Sequence, residues 1–463
     1  MNKKFHDEYM KSKGNYLKYK NKPNNIMTGG YFDIKQPFDY SIINTLNNHL
    51  TTDSIHLLNE LYKIITPYNQ LLEKQIKPFD GQVIDLIDIM NDKIEKVKSK
   101  PITKFNRMIP NIMKNINLNE FKRVESKGNI EINNFLDKEI RKFKETNQDN
   151  NEEVFLPAGF IGSGIIEDFK NNPNKLSRYT EYESDGTKIT IFNRVGRDNT
   201  ELINNIHLYT KIIKKTANHL NLTFSTPNII LLLSNAKKTF ELNNGVFTID
   251  NVNSAEYAPF NNQLSIYRKE EFLKLLLHEL SHRAVLERNI DDLVTKQWSK
   301  CWAVERNGSL LLRETIVETF AQFMNICILS YICNNKFKET FNILWKMELL
   351  FGLYQTAKIL YMSGINSNKE FTSNQTSNKV RAMTSVVEYH IFKTILMLNF
   401  NEFYLYYTTD MGKLLDLIYD FSVNNESYNK IVDGLIEDFK NADQESTLYR
   451  TGRMSIIERN ILD

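Results

Sequence analysis

The sequence predicts an α+β protein. A helical N-terminal region, residues 1–150, precedes a second region, residues 151–463, which opens with a small mixed sheet and becomes mostly helical. Three observations carry this reading. Apolar residues recur every three to four positions through 41–146, the spacing of an amphipathic helix. Between 187 and 268 they gather into short runs of strand character. After Asp291 long apolar stretches with helical spacing return and continue to the end.

In the first region "DSIHLLNELYKII", "GQVIDLIDIMNDKIEKVKSK" and "KGNIEINNFLDKEIRKFKE" are the helix candidates, and Pro67, Pro78, Pro101 and Pro110 divide them. The polar run Glu145 to Glu153 reads as a linker or surface loop. In the second region "TKITIFNR" (187–194), "NIILLLS" (228–234) and "NQLSIYR" (262–268) read as strands. "TELINNIHLYTKIIKKTANHL" reads as an amphipathic helix, and "FELNNGVFTID" as a hairpin about its Asn-Gly pair. A helix starting near Arg268 is expected to hold "LLLHELSHRAV", Leu275 to Val285. Beyond it "SLLLRETIVETFAQFMNICILSYIC", "FNILWKMELLFGLYQTAKILYM", "VRAMTSVVEYHIFKTILMLNF" and "YNKIVDGLIEDFKN" are expected to be helices. The Gly-containing stretch Pro157 to Gly164 lacks the Gly-Lys-Ser/Thr ending of a phosphate loop and reads as a loop or a bulge.

Composition narrows the class. At 41% hydrophobic and 25% charged residues, with 28 Phe and 22 Tyr, the 463-residue chain has the makings of a packed core rather than of a disordered polymer. The net charge is +3; residues 1–150 hold 25 Lys and Arg against 19 Asp and Glu, about +6, which leaves about −3 for the rest. Seven lysines fall in the first 22 residues. This basic arm is the one feature through which nucleic acid would be engaged, and it lacks the arginines and aromatic interleaving of a nucleic-acid binder. Cys301, Cys327 and Cys333 are odd in number and include no Cys-x-x-Cys pair, so reduced thiols in a cytosol-like compartment are expected. No apolar core follows the basic start, so no secretory signal is expected. The most apolar long stretch, Thr315 to Cys333, contains Glu318, Gln322 and Asn325 and reads as a buried helix, not a membrane span.

The chemistry concentrates in "HELSH". Residues four apart on a helix share a face, so His278 and His282 can reach one ion, and zinc suits imidazole nitrogen. Glu279 points about a quarter turn away, where a carboxylate serves as general base to a metal-activated water. With 8 His and 33 Glu in the chain, chance would produce such a His-Glu-x-x-His about once in 100 sequences of this composition. The leucines around it add weight, because burying two imidazoles and a carboxylate among them is costly unless they are paired or bind metal. Positions 285 and 288 are Val285 and Arg288, which excludes the His-x-x-Gly-x-x-His continuation. A glutamate from a following helix is then the natural third ligand, with Glu305, Glu314 and Glu318 as candidates. Glu318, separated from His282 by 35 residues and set in apolar sequence, is the choice, with Glu314 as a partner to a ligand histidine; an exchange of these two roles stays open.

The stretch His278 to His282 with a downstream Glu-Thr-Phe-Ala resembles the gluzincin type of zinc metallopeptidase, and the strand "NQLSIYR" running into the motif helix resembles the zincin fold. A narrower similarity, over about residues 185–463, is to uncharacterised peptidases of large DNA viruses, carried by "IYRKEEFLKLLLHELSH", "ETFAQF" and "TGRMSIIE" (451–458). The resemblance implies a zincin-like catalytic domain over 151–463 that hydrolyses a peptide or protein substrate. His278, His282 and Glu318 would hold Zn2+, and Glu279 would act as catalytic base. It also implies an oxyanion donor, for which Tyr389 is preferred over His390. His207 and His219, on another expected helix, read as structural, and His6, His49 and His56 show no partner spacing. A substrate strand is expected to add near Val246 to Tyr257. The alternative is a structural or virion-associated interaction protein that keeps the scaffold and uses the metal for stability.

Overall fold

A computed structural model describes residues 46, 49–98, 161–172, 179–184, 187–192, 199–242, 244–259, 262–284, 292–306, 309–333, 337–373, 376–459 and 461. The basic arm, the third N-terminal helix candidate and the polar run at 145–153 lie outside these residues.

Helices α1 (Thr52–Ile65), α2 (Asn69–Gln75) and α3 (Gly81–Lys98) begin the described chain. Thr51 caps α1 through its side chain, which accepts from Ser54 N. After α4 (Ser163–Asn171) come β1 (Tyr179–Ser184), β2 (Thr187–Phe192), α5 (Thr200–His219) and β3 (Asn228–Ser234). Next are β4 (Val246–Phe247), α6 (Ile249–Val252), β5 (Ala255–Ala258), β6 (Gln263–Arg268) and the motif helix α7 (Phe272–Arg283). The remainder is α8 (Asp292–Ser299), β7 (Val304–Glu305), α9 (Leu312–Cys333), α10 (Phe337–Met362), α11 (Asn368–Ser373) and β8 (Val380–Ala382). A π-helical turn, Glu388–Phe392, leads into α12 (Lys393–Leu398), α13 (Phe400–Thr409), α14 (Gly412–Asn424), α15 (Glu426–Asp438) and α16 (Thr447–Arg450). This is the expected α+β composition.

The main sheet has the order β1-β2-β3-β6-β5. Its centre, β2-β3-β6, is parallel, and β1 and β5 run antiparallel at the two ends. The central strands are covered on both faces, as parallel strands require. Ile229, Leu231, Leu264 and Ile266 point into the main core with α5 and α7, while Ile230, Leu232 and Tyr267 point the other way, to Ile165 and Phe169 of α4. That period-2 alternation sets β6 to deliver the chain into α7 directly under the sheet. A second, parallel sheet has the order β4-β8-β7.

Three local expectations change. Asn244 and Gly245 both have positive φ, 53° and 71°, as an Asn-Gly turn demands. Among the described residues no hairpin forms there; β4 pairs instead in parallel with the distant β8. The stretch 380–400, expected to be one helix, begins as β8 and turns through the π-helical segment before α12. The glycine-rich stretch becomes the start of α4 from Ser163 on, with Asp250 accepting from Ser163 Oγ (2.7 Å) and Gly164 N (3.0 Å). A Cβ at Gly162 would lie 2.2 Å from the same carboxylate, so only glycine admits that approach.

The apolar stretch over 315–333 is the interior of α9, a 22-residue helix long and apolar enough to cross a bilayer, yet buried from Thr315 to Ser330 inside the protein. α10 is buried in the same way. A helix apolar on every side is a core helix, and these two form the pillar against which α7 rests. The N-terminal helices belong to the same core: Phe79 packs edge-on against Phe341, Trp345 and Phe400 at ring separations of 5.7, 5.4 and 6.0 Å. The three cysteines are free.

Candidate metal centre

The site is built by two helices and one turn. α7 is buried from Phe272 to Ser281, so its polar residues sit in an almost dry environment. Spacing along the helix puts the two imidazoles side by side, and their Nε2 atoms come within 3.1 Å. α9 lies across α7, and its first two turns bring Glu314 and Glu318 to opposite sides of the His278 ring. Glu314 Oε2 stands 3.5 Å from His278 Nε2 and 3.4 Å from His282 Nε2. Glu318 Oε2 is 2.9 Å from Nδ1 of His278.

This geometry sets Glu314 rather than Glu318 beside both Nε2 atoms. Glu314, not Glu318, joins His278 and His282 in a set of donor atoms that converge on one point. Glu318 is held elsewhere: its Oε1 takes the ammonium of Lys274 and lies 3.7 Å from that of Lys393. The physical reason is direction. Glu318 is one turn deeper in the core, fully buried, where it meets the back of the ring and two lysines. Glu314, one turn nearer the helix start, meets the front. Glu305 is exposed and 3.7 Å from Arg381, outside the donor set. His49, His56, His207 and His219 are also outside it.

The arrangement suits a small cation. Four tetrahedral ligands about 2.0–2.1 Å from zinc lie about 3.3–3.4 Å from one another, and the observed separations are 3.1, 3.4 and 3.5 Å. Glu318 also suits a metal-bound imidazole: an ionised carboxylate only accepts, so with a metal at Nε2 the Nδ1–H of His278 would donate to Glu318. Charges agree with this. Burial opposes ionisation of Glu314, but His282 and His278 outweigh it and hold its carboxyl well below the usual range. Glu318 is depressed as well, with burial overcome by Lys274, His278 and Lys393.

Glu279 is buried beside the donor set without belonging to it. Burial raises its pKa, His278 and His282 partly offset that, and Glu314 adds to the rise. A carboxyl raised in this way is a stronger proton acceptor than an exposed one. Tyr389, on the π-helical turn, donates its hydroxyl to Glu314 Oε2 at 3.1 Å, and its ring meets His278 edge-on at 5.5 Å. Burial, Glu314 and Glu279 push the phenol well above its usual value, so it remains a donor. His390 turns away and packs against Phe240 at 5.6 Å. Of the sequence candidates, then, the fold brings His278, Glu279, His282, Glu314 and Tyr389 together and sets Glu318 behind them.

Two residues of the site escaped the sequence reading. Lys274 lies one turn before His278 on the same face, a spacing that was there to be seen. Lys393 is 115 positions away in sequence from His278 (393 − 278) and arrives only through tertiary packing. β5, an end strand of the sheet, packs beside α7 at Ala255–Ala258; the segment expected to take a substrate strand is thus divided, with β4 committed to the second sheet. Compared with protein-family models, with curated proteins and with solved structures, the chain gives no match.

Proposed function

We propose that the protein is a zinc-dependent metallopeptidase of zincin-like build, with His278, His282 and Glu314 as metal ligands. The observation that carries this reading is the convergence of two imidazole nitrogens and one carboxylate at tetrahedral-edge spacing beside a buried carboxyl that binds none of them. A structural zinc site is closed by four protein ligands, whereas here three donors converge and Glu279 stands next to them. Zinc bound at these donors would polarise a carbonyl and lower the pKa of a bound water.

The chain's own groups account for the proton traffic. Glu279 accepts the proton of an attacking water and, with its raised pKa, is suited to pass it to the leaving amine. Tyr389 carries a hydroxyl that stays protonated beside the donor set and would turn from Glu314 to donate to an oxyanion. Glu318 fixes the His278 ring. β5, antiparallel at the end of the sheet and beside α7, is the strand on which an extended peptide would align.

The test pairs zinc content with cleavage of a broad peptide library in the wild type and in Glu279→Gln. Zinc at one per chain in both, with cleavage in the wild type alone, is the expected result. Absence of zinc from the wild type sinks the reading. Zinc without cleavage in either protein favours a metal-stapled scaffold, the second reading, which the near-complete burial of His278 supports.

A further inference from the structure

The last described stretch of chain, 451–459, has no regular secondary structure yet is buried almost throughout: Arg453 is 1% exposed, Ser455 and Ile456 0%. Its backbone is gripped by buried side chains from four places. Glu271, at the left-handed N-cap of α7, accepts from Met454 N (3.2 Å) and Ser455 N (2.5 Å). Glu348 of α10 accepts from Ser455 Oγ (2.6 Å) and Ile457 N (3.0 Å). Gln355 and Lys358, also of α10, donate to Arg453 O (2.8 Å) and Thr451 O (2.7 Å). The fourth grip is Lys393, whose ammonium donates to Met454 O.

Lys393 is the link to the metal centre. The ammonium that holds Met454 O is 3.7 Å from Glu318 Oε1. Lys274, which pairs with the same oxygen, also approaches Met454 Sδ at 3.8 Å. Both lysines and the carboxylate are buried. A buried lysine needs compensation, and here one ammonium is shared between a backbone carbonyl and Glu318. Removing it would leave Oε1 of Glu318 to Lys274 alone and loosen the setting of Oε2 against His278. Through these contacts the C-terminal segment, Lys393, Glu318 and Nδ1 of His278 form one continuous chain.

We propose that Lys393 is a positioning residue: anchored on the carbonyl of Met454, it orients Glu318 and so fixes the tautomer and ring setting of His278. The C-terminal segment is in this sense part of the metal centre. The inference rests on the proposed metal site, and its test keeps the two apart.

The test uses full-length protein with 15N-labelled histidine, metal-free, at a pH above the end of the raised His278 titration. Wild type should show His278 as the Nδ1–H tautomer. Lys393→Met, similar in length and uncharged, should show a tautomer mixture and a zinc affinity about 10- to 100-fold weaker, the usual cost of losing an outer partner of a metal ligand. Lys358→Met is the control. Lys358 grips the same segment at Leu448 O and Thr451 O and has no contact with Glu318, so this variant should keep the tautomer and the affinity. An unchanged tautomer in Lys393→Met overturns the proposal, as does an equal shift in Lys358→Met, which would mark a general loosening of the segment. A wild type that binds no zinc but shows the tautomer shift in Lys393→Met overturns the peptidase reading and supports the positioning role.

Discussion

At the scale of single residues, the site divides its two glutamates by one helical turn. Glu314→Ala removes a donor that faces both Nε2 atoms, and zinc should be lost or bound at least about 100-fold more weakly; Glu318→Ala leaves the donor set whole and should cost about 10- to 100-fold. Competition with a chelator measures both, and equal losses would mean that the two roles are not distinct. Tyr389→Phe should keep zinc and lower kcat by about 10²–10³ if its hydroxyl serves the oxyanion. The pH dependence has a definite sign. In the metal-free protein burial disfavours the charged form of His278, but the bonds to Glu314 and Glu318 outweigh it and raise its pKa. Protons therefore compete with metal already above the ordinary histidine range. Zinc affinity should fall with decreasing pH, by about tenfold per unit for each proton displaced. The metal-free fold should instead lose stability as pH rises through that raised pKa. His278, Glu279 and His282 were legible from spacing alone. The choice between Glu314 and Glu318 was not, because both share a helix face, and only the height of α9 against α7 decides which carboxylate reaches the front of the ring.

At the scale of elements, strands and core helices could be read where pattern and environment agree: β3 and α5 fall where a short apolar run and amphipathic spacing place them. The failures came where a distant partner overrides local preference. The Asn-Gly turn forms, but its outgoing strand finds β8 instead of its neighbour, and 380–400 is too apolar for its β8 and π-helical breaks to show. β5 makes a testable case of its own. Burial raises the carboxyl of Glu256 to about 7, with the Tyr267 hydroxyl pulling it down and Glu279 pushing it up. A carboxyl raised in the folded state binds more protons there than in the unfolded chain, so its contribution is complete below about 4.5 and lost as pH rises through about 7. Glu256→Gln should therefore flatten the fall in stability over that window and be more stable than the wild type above pH 7, by about 1–3 kcal/mol. Thermal melts at a series of pH values decide it, and a wild type that gains stability across the same window would contradict the assignment.

At the scale of the whole molecule, composition foretold a packed core, but periodicity carries no information about which helices share one. The sequence reading set residues 1–150 apart as a helical region of unknown role, and the described helices within it, α1 to α3, close the same core as the pillar of α9 and α10. Leu58, Leu61 and Val83 lie in one cluster with Leu344, Met347 and Leu353. Phe79 fills the space between Phe341, Trp345 and Phe400. α1 also abuts the C-terminal segment, where Ser54 Oγ accepts from Glu458 N at 3.0 Å, and that segment holds Lys393. Since the described helices share one core, α1 to α3 should unfold together with α9 and α10, with loss of any bound metal at the same temperature. Phe79→Ala should lower stability by about 3–5 kcal/mol although it is far in sequence from the metal centre. A fragment of residues 161–463 should expose Trp345, Phe400 and Leu344 and be aggregated or molten rather than a folded, metal-binding domain. Circular dichroism, sedimentation and zinc titration of that fragment settle the matter: a monodisperse fragment that binds zinc as tightly as the full chain would show that the N-terminal helices are an appendage after all.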